Sequence, residues 1–359
     1  MLIKKLKIAV LTGGRSSEHE VSLQSAKNVI AAIDKEKYEV LPIGIDKNGK
    51  WWLYENFNYL INENDPKNIK LNPNAGDQVI LLPQVGKSLY SLSKNKIIER
   101  IDCVFSLLHG TYGEDGNTQG LLNLAGVPFV GSDVLGSAIG MDKDVTKRLL
   151  RDAGIPIAKF LTLQKGEHLN LASVFQNLGN PVFVKPANEG SSVGVSKARN
   201  TEELKEAILN AFKYDTKILI EEFVDGREIE CAVLGNLNPK ASVIGEIKPS
   251  HEFYSYEAKY IDANGAKAIV PAEISEEITK QVKEISIKAF KVLCCSGLAR
   301  VDFFLKQDGS LMINEINTLP GFTKISMYPQ LWQETGMTYS QLITSLINLA
   351  LEKAENENS

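Results

Sequence analysis

The chain has 359 residues, enough for about two or three domains of ordinary size. Its 43% hydrophobic and 23% charged residues, with a formal net charge of −4, are typical of a soluble protein and lack the basic excess of a nucleic-acid binder. No window approaches the ~20 apolar residues of a membrane span. From the charge balance and the lack of such a window, we expect neither nucleic acid nor a membrane as a partner.

The N-terminal segment and the cysteines indicate a cellular location. The first apolar run ends after Leu11 at a glycine pair, too early for the core of a signal peptide. The four cysteines lack zinc-ligand spacing, and the adjacent pair has poor geometry for a disulfide. They are Cys103, Cys231, Cys294 and Cys295. We expect reduced thiols and a cytoplasmic protein.

Strand and helix patterns alternate at the start of the chain. LKIAVLTGG reads as a buried strand that enters a glycine turn, and residues 22–33 follow with helical spacing. Residues 38–45 and 101–108 read as further strands, and this order predicts a mostly parallel sheet with βα winding. Residues 51–96 are rich in Asn and Pro, and we interpret them as a surface excursion with weak, short strands.

A second unit is predicted to begin near Met141, where MDKDVTKRLLRDAGIP reads as a helix stopped by Gly154 and Pro156. The strand PVFVKPA, the glycine-bearing loop EGSSVG, a helix after Thr201 and the strand KILIEEFV follow. Asp225-Gly226 is a dipeptide that tight turns prefer, so we expect the next strand, REIECAVLG, to be the antiparallel neighbour of KILIEEFV.

The segment LARVDFFLKQDGSLMINEINTLPGFTKI predicts a hairpin that gathers carboxylates. Asp308-Gly309 favours a two-residue turn. Counting back from that turn places Asp302 opposite Glu315 and Arg300 opposite Asn317. All four side chains then lie on one face, because side chains alternate along a strand.

Two carboxylates directly opposed in a sheet repel each other, so a cation is expected between them. Mg²⁺ held by carboxylates and substrate phosphates fits, and this suggests a nucleotide enzyme. The alternative is a solvated outer face of an ordinary hairpin. The helix predicted within residues 273–293 would cover one face of the same sheet.

Phosphate-binding candidates follow from glycines and lysines. VGKS at residues 85–88 is not a P-loop, because the required earlier glycine is Leu81. Residues 189–194 are the better candidate, since Gly190 and Gly194 let backbone N–H groups approach an anion. Lys143 and Lys185 would supply positive charge. The alternative is a hairpin tip with solvated lysines.

Two further groups of residues have competing interpretations. Glu18, His19 and Glu20 do not form an HExxH zinc motif, and a helix N-terminus, where acidic side chains oppose the dipole, explains them more simply. His109 follows a predicted parallel strand, where ligands bind in open α/β sheets, so we expect it to line a site. A serine hydrolase is disfavoured because no G-x-S-x-G elbow is present.

Taken together, these motifs resemble the D-alanine:D-alanine ligases of the ATP-grasp fold. The motifs in family order are GGRSSEHEVS, LLHGTYGEDGNTQG, MDK, PVFVKPANEGSSVGVSK, IEEFVDGREIE, YSYEAKY, ARVDFF and NEINTLPGFT. The resemblance implies an α/β fold with α+β elements and three domains. These are a Rossmann-like substrate domain at 1–140, a central ATP-grasp subdomain at 141–224 and a C-terminal ATP-grasp domain at 225–359.

The resemblance also implies the activity: two D-alanine molecules are joined through an acyl phosphate at the expense of ATP, for peptidoglycan precursors. ATP is a co-substrate, two Mg²⁺ ions are cofactors with Mn²⁺ as a substitute, and a homodimer is expected. By resemblance, the ATP-binding residues are Lys143, Lys185 and Lys259 at the phosphates, Glu221, Phe223 and Val224 around the adenine, and Glu228 at the ribose. The metal ligands are Asp302 and Glu315 for one ion, and Glu315 and Asn317 for the other.

The remaining implied residues handle the amino acids. Glu18 would hold the amino group of the first D-alanine and His109 would lie near its carboxylate, while Ser191 and Tyr260 would join Glu18 in a hydrogen-bonded set that closes the site. Arg300 and the N–H of Gly321 would face the oxyanion, and Ser326 with Met327 the carboxylate of the second D-alanine.

Three rival functions stay open from the sequence. A ligase of the same fold could take D-serine or D-lactate as its second substrate, although Tyr260 argues against D-lactate by resemblance. A biotin-dependent or purine-pathway carboxylase would not need Glu18 and Tyr260 for a free amine. An ATP-binding regulatory module would not need Arg300 together with the metal-binding side chains.

Overall fold

The computed structural model describes residues 4–55, 57–83, 86–249 and 266–357. Lys259 and Tyr260 of the predicted site lie outside these residues. The described helices are α1 (His19–Ala32), α2 (Asn117–Leu124), α3 (Val134–Met141), α4 (Lys143–Asp152), α5 (Leu171–Leu178), α6 (Thr201–Ala211), α7 (Glu276–Val292), α8 (Met327–Glu334) and α9 (Tyr339–Glu357). Among them, none has the length and apolar character to cross a membrane.

The first sheet has the order β8-β7-β6-β3-β2-β1-β9. The first nine strands are β1 (Leu6–Gly13), β2 (Tyr38–Ile45), β3 (Trp51–Tyr54), β4 (Leu60–Ile61), β5 (Lys70–Leu71), β6 (Gly76–Leu82), β7 (Ser88–Ser91), β8 (Lys96–Arg100) and β9 (Cys103–Ser106). As predicted, β1 pairs in parallel with β2 and β9. Its apolar run is fully buried because parallel strands are covered on both faces.

The excursion at residues 51–96 is more than a surface loop, and this corrects the prediction of a mostly parallel sheet. Four of its strands, β3, β6, β7 and β8, continue the first sheet from β2 by antiparallel pairing. Short strands of weak intrinsic preference gain stability by pairing with an open sheet edge, a property that local sequence does not reveal.

The central sheet is a separate antiparallel unit with the order β10-β13-β11-β12. Its strands are β10 (Phe160–Gln164), β11 (Val182–Pro186), β12 (Ser196–Ala198) and β13 (Lys217–Glu222). Residues of α5 and α6 pack on it in a hydrophobic core that contains residues of this unit alone, including Val174, Val182, Leu204 and Ile218.

The third sheet has the order β16-β15-β14-β17-β18 and is antiparallel. Its strands are β14 (Arg227–Gly235), β15 (Lys240–Pro249), β16 (Ala266–Ile269), β17 (Gly297–Leu305) and β18 (Leu311–Asn317). The expected hairpin between β13 and β14 is wrong, because these strands lie in different sheets. Neither Asp225 nor Gly226 has the positive φ that the predicted turn requires, and the dipeptide links two sheets instead.

Helix α7 covers one face of the third sheet, as predicted. Val282 and Phe290 of the helix share a hydrophobic core with Val301 and Phe303 of β17. The intervening residue, Asp302, therefore points to the opposite face, because side chains alternate along the strand. Burial of one face leaves the other available for polar chemistry.

The hairpin of β17 and β18 has the predicted pairing but not the predicted turn. Leu305 pairs with Leu311, and a three-residue loop at 307–309 ends with Gly309 at a φ of 83°. This loop shifts the register by one residue, and a bulge at Asn314 shifts it back. Asp302 therefore lies opposite Glu315 as predicted, and Arg300 opposite Asn317 in the same ladder.

The first and third sheets share one hydrophobic core. Phe322 lies at its centre, with its ring centroid 5.7 Å from that of Phe105 in β9 and 5.7 Å from that of Tyr328 in α8. Leu346 of α9 and Ala232 of β14 belong to the same core. This packing fixes the acidic face of the third sheet relative to the loops that follow β1 and β9.

Candidate active site

A cavity of about 870 Å³ opens between the three sheets. All the predicted site residues that the structure describes line it. They are Glu18, His109, Lys143, Lys185, Ser191, Glu221, Phe223, Val224, Glu228, Arg300, Asp302, Glu315, Asn317, Gly321, Ser326 and Met327. Residues from distant parts of the chain thus meet at one place, as expected of a ligand site at the junction of domains.

The acidic face of the third sheet carries a row of carboxylates. Glu230 of β14, Asp302 of β17 and Glu315 of β18 are neighbours in register across three strands. Arg300 supplies the cation between them: its Nε and NH2 donate to the two oxygens of Asp302 at 2.7 and 2.6 Å, and Nε lies 2.9 Å from Glu230 Oε2. The Nδ2 of Asn317 donates to Asp302 Oδ2 at 3.0 Å.

This ion-pair network keeps Arg300 charged. Burial opposes the charged form, but Asp302 and Glu230 together hold the pKa of Arg300 well above its ordinary value. A guanidinium fixed by two carboxylates at a cavity wall can stabilise negative charge that develops on a bound substrate.

Asp302, Glu315 and Asn317 fit a divalent cation of the Mg²⁺ type. They offer carboxylate and amide oxygens on one face of two paired strands, which is the donor set that Mg²⁺ prefers when phosphates and water complete the shell. Within residues 4–55, 57–83, 86–249 and 266–357, no group of three or more His, Cys, Asp or Glu could hold a metal unaided. A bound metal would therefore need oxygens from a ligand.

Lysines line the same cavity as the acidic face. Helix α4 begins where Asp142 accepts hydrogen bonds from the N–H groups of Asp144 and Val145, and Lys143 lies in its first turn. The Nζ of Lys143 donates to the carbonyl of Glu189, at the start of the glycine-bearing loop. Lys143 is thereby held against the loop that was predicted to cover phosphates.

A buried carboxylate joins two further lysines. Glu221 Oε2 lies 2.7 Å from Lys185 Nζ, and Glu221 Oε1 lies 3.2 Å from Lys147 Nζ. Burial opposes the charged carboxylate, but Lys147 and Lys185 lower its pKa below the ordinary value. Sequence reasoning missed Lys147, although its position one helical turn after Lys143 could have indicated it.

The glycine-bearing loop contacts helix α1 directly. Ser191 Oγ donates to Glu18 Oε1, and a Cβ added to Gly190 would lie 3.1 Å from the other oxygen of Glu18. Glu18 is the N-cap residue of α1, but its side chain makes no capping hydrogen bond. Glu18 thus stands at the helix N-terminus as predicted, and its carboxylate faces the cavity and the loop.

His109 lies in the cavity wall as a neutral imidazole. Burial lowers the pKa of His109, and its Nδ1 is 3.2 Å from the carbonyl of Leu319. A carbonyl only accepts, so Nδ1 carries the proton and Nε2 accepts from the hydroxyl of Ser25 at 3.1 Å. Both ring nitrogens are thus occupied, and His109 ties the strand end of the first sheet to the loop before Gly321.

Glu114, which sequence reasoning missed, follows His109 in the same glycine-rich loop. Its Oε1 accepts from the N–H of Gly110 at 2.7 Å and lies 4.0 Å from His109 Nδ1. Burial, with the negative charge of Glu18, raises the pKa of Glu114 to about 8. The useful sequence feature was its position in HGTYGEDG, directly after a predicted parallel strand.

A polar turn leads into helix α8 at another part of the cavity. Ser326 is the N-cap residue of α8, and its Oγ accepts from the N–H of Thr323 at 3.0 Å. A Cβ on Gly321 would lie 2.7 Å from that Oγ, so a side chain at this position would displace the Ser326 hydroxyl. The N–H groups at the start of a helix favour an anion such as a carboxylate.

Aromatic rings border the cavity near the central sheet. The centroids of Phe183 and Phe223 are 6.1 Å apart, and Lys197 Nζ lies 4.7 Å from the ring centroid of Phe223. Val224 and Glu228 lie at the same end of the cavity. Flat apolar groups beside polar acceptors suit a nucleoside.

Comparisons with known proteins show which family this chain is similar to. Residues 7–132 match the family model for the D-ala D-ala ligase N-terminus, and residues 149–348 match the model for the C-terminus. The chain is 52% identical to a D-alanine–D-alanine ligase of Oceanobacillus iheyensis, over 98% of this chain and 97% of the relative. It is 51% identical to D-alanine–D-alanine ligase A of Escherichia coli K12, over 99% of each.

Solved structures give the same result for the fold. The D-alanine–D-alanine ligase of Coxiella burnetii superposes with a TM-score of 0.85 at 38% identity, covering 99% of this chain and 96% of that one. The VanG D-Ala:D-Ser ligase of Enterococcus faecalis has a TM-score of 0.85 at 37% identity, covering 97% and 100%.

Proposed function

The chain belongs to the D-alanine–D-alanine ligase family of ATP-grasp enzymes, and on this premise we propose that its cavity joins two D-alanine molecules with ATP. The observation that carries the proposal is the row of Glu230, Asp302 and Glu315 beside Arg300, which lines the same cavity as several lysines. Such an arrangement can bind a triphosphate and stabilise charge on an acyl group. The product serves peptidoglycan precursor synthesis.

The reaction has two steps. In the first, an oxygen of the first D-alanine carboxylate forms a bond to the γ-phosphorus of ATP while the bond to the β–γ bridging oxygen breaks, which gives ADP and an acyl phosphate. In the second, the amine of the second D-alanine loses a proton and attacks the acyl carbon. Phosphate then leaves the tetrahedral intermediate, and the dipeptide remains.

For the nucleotide, we assign Lys143 and Lys185 to the phosphates, together with Lys259 of the undescribed segment. Glu221, Phe223 and Val224 surround the adenine, and Glu228 binds the ribose. Asp302, Glu315 and Asn317 would hold two Mg²⁺ ions, with Mn²⁺ as a substitute. When bound, these ions would neutralise the charge that develops on the transferred phosphoryl group.

For the amino acids, Glu18 holds the ammonium of the first D-alanine, near His109. Ser326 and Met327 bind the carboxylate of the second. Arg300 and the N–H of Gly321 stabilise the oxyanion. Ser191, with Tyr260 of the undescribed segment, keeps the glycine-bearing loop on Glu18 and so keeps water from the acyl phosphate.

The test is release of ADP by the purified protein with ATP, Mg²⁺ and one of D-alanine, L-alanine, D-serine or D-lactate, with the product identified by mass. We expect ADP and D-alanyl-D-alanine in equal amounts with D-alanine, and neither with L-alanine. ATP turnover that is independent of D-alanine would refute the proposal.

D-Serine is the informative competitor, because a structural neighbour is a D-Ala:D-Ser ligase and the two substrates differ by one hydroxyl. The curated relatives at 51 to 52% identity are named for D-alanine, and we propose D-alanine as the second substrate. A mixed assay with D-alanine and D-serine at equal concentration should give mainly D-alanyl-D-alanine.

We also propose a cytoplasmic homodimer. The described cysteines are all free, which suits a reducing compartment. Leu124 of α2 and Leu135 of α3 are 68% and 60% exposed, which is unusual for leucine and suits a subunit contact. Sedimentation of the purified protein distinguishes a dimer from a monomer.

A further inference from the structure

The cluster of Lys147, Glu221 and Lys185 contains more positive charge than its own neutrality requires. The side chains are 1%, 7% and 10% exposed, so all three are removed from water. One lysine would balance one carboxylate, and a second buried ammonium adds desolvation cost and repulsion. Burial accordingly lowers the pKa of Lys147, and a further anion that joins the cluster would offset this cost.

Lys147 lines part of the cavity, but its ammonium nitrogen is not exposed there. Its Nζ is fully buried and makes no hydrogen bond within the described protein, and Glu221 Oε1 is in the same situation. The two atoms lie 3.2 Å apart and form an ion pair. The ring of Phe160 lies on the other side of the ammonium, with its centroid 6.0 Å away. The ammonium of Lys147 therefore acts on a ligand through its ion pair with Glu221.

Lys185 differs from Lys147 in how closely Glu221 holds its ammonium. Its Nζ is held by Glu221 at 2.7 Å and its side chain lines the cavity. To contact a phosphate, this ammonium must weaken its pairing with Glu221. Leaving a buried carboxylate without a counter-ion is strongly unfavourable, so some other cation must stay with Glu221.

We propose that Lys147 is a positioning residue that remains as the counter-ion of Glu221 and thereby frees Lys185 for the phosphates of the nucleotide. The proposal rests on the proposed function only in taking the ligand to be a nucleotide. It assigns Lys147 to phosphate affinity rather than to recognition of the base.

The test compares Lys147→Met with the wild type by calorimetric binding of adenosine, ADP and a non-hydrolysable ATP analogue. Methionine has similar volume and no charge, so Glu221 would keep Lys185 to itself. We expect the dissociation constants of ADP and the analogue to rise ~10- to 100-fold, and that of adenosine by less than about threefold. Lys147→Arg should restore most of the affinity.

Two controls separate this role from a general loss of stability. Arg148→Met removes the neighbouring cation of α4, which pairs with Asp144 and does not line the cavity, and it should leave ADP affinity unchanged. In a Glu221→Gln background, Lys147→Met should have little further effect on ADP binding, because no carboxylate is left to hold Lys185. Thermal unfolding of each variant reports folding independently.

The outcomes are distinct. Equal weakening of adenosine and ADP would overturn the inference and make Lys147 part of the base pocket. Unchanged ADP binding in Lys147→Met would show that Lys147 is a structural ion-pair residue only. Failure of the wild type to bind any of the three compounds would instead refute the proposed function.

Discussion

At the scale of single residues, the site depends on charges whose partners are buried with them. Arg300 illustrates this, since its guanidinium is held in plane by Asp302 and lies beside Glu230. A donor fixed before the substrate arrives needs no reorganisation when charge develops, and this is the main source of catalytic stabilisation at such sites.

We predict that Arg300→Met lowers kcat by ~10²- to 10³-fold, the cost typical of losing one oxyanion donor. Steady-state ADP release measures this. Arg227→Met is the matched control, because Arg227 forms a similar two-point contact with Glu246 on the same sheet and does not line the large cavity. An Arg300 variant within a few-fold of wild type would contradict the assignment.

Glu114 should make stability depend on pH in the ligand-free protein. Its pKa is raised from 4.5 to about 8, so the folded state binds this proton more tightly than the unfolded chain. The contribution of the protonated Glu114 to the unfolding free energy is complete below pH 4.5 and is lost as pH rises through about 8. From about pH 6 to about pH 9 the unfolding free energy should fall by about 1 to 3 kcal/mol through this group.

Urea unfolding of wild type and Glu114→Gln at several pH values checks this prediction. Glutamine keeps the acceptor for the N–H of Gly110 but cannot ionise, so the variant should lose this part of the pH dependence. Parallel stability profiles for the two proteins would contradict the assigned pKa.

At the scale of elements, helix α4 presents two lysines to the cavity because one residue fixes where it begins. Asp142 accepts from two backbone N–H groups and also forms an ion pair with Lys217 of β13. The helix start is thus tied to the central sheet, which carries Lys185 and Glu221.

Asp142→Ala should lower the unfolding free energy by about 1 to 2 kcal/mol through loss of the cap, with a further cost from the lost ion pair to Lys217, which keeps Asp144 at 3.7 Å. Asp142→Asn keeps a good capping side chain and should lose only the ion-pair contribution. Thermal unfolding of both variants measures the difference. Equal destabilisation by alanine and asparagine would show that capping is unimportant here.

Most elements could be predicted from sequence because their patterns are local. The apolar run of β1 and the helical spacing of α1 each depend only on near neighbours. The link at Asp225-Gly226 could not be predicted, because a turn-forming dipeptide does not reveal which sheet the next strand joins. For the same reason, Lys147 and Glu230 were missed: their roles depend on partners in other elements, Glu221 and Arg300.

At the scale of the whole molecule, the three sheets are not equally integrated. The first and third share a core around Phe322, whereas the described apolar core of the central sheet is formed by residues between 161 and 220. Contact between the central sheet and the rest includes Lys147 with Glu221 and Ser191 with Glu18. The central unit is therefore expected to open at a lower free energy than the other two.

Hydrogen exchange with and without ADP tests this expectation. Backbone amides of β11 and β13 should be less protected than those of β1 and β17 in the free protein. A nucleotide at one hundred times its Kd should add up to about 2.7 kcal/mol of protection, mostly in the central unit. Uniform protection of all three sheets, unchanged by ADP, would contradict the expectation that the central unit opens more easily.

The bulge at Asn314 also bears on how this protein can vary. The offset introduced by the three-residue loop at 307–309 is cancelled before the ladder reaches Glu315. The tip of the hairpin is thereby insulated from the catalytic end. A deletion that shortens the loop can be matched by loss of the bulge, so length changes in this surface segment can accumulate in pairs during evolution while the acidic side chains keep their alignment.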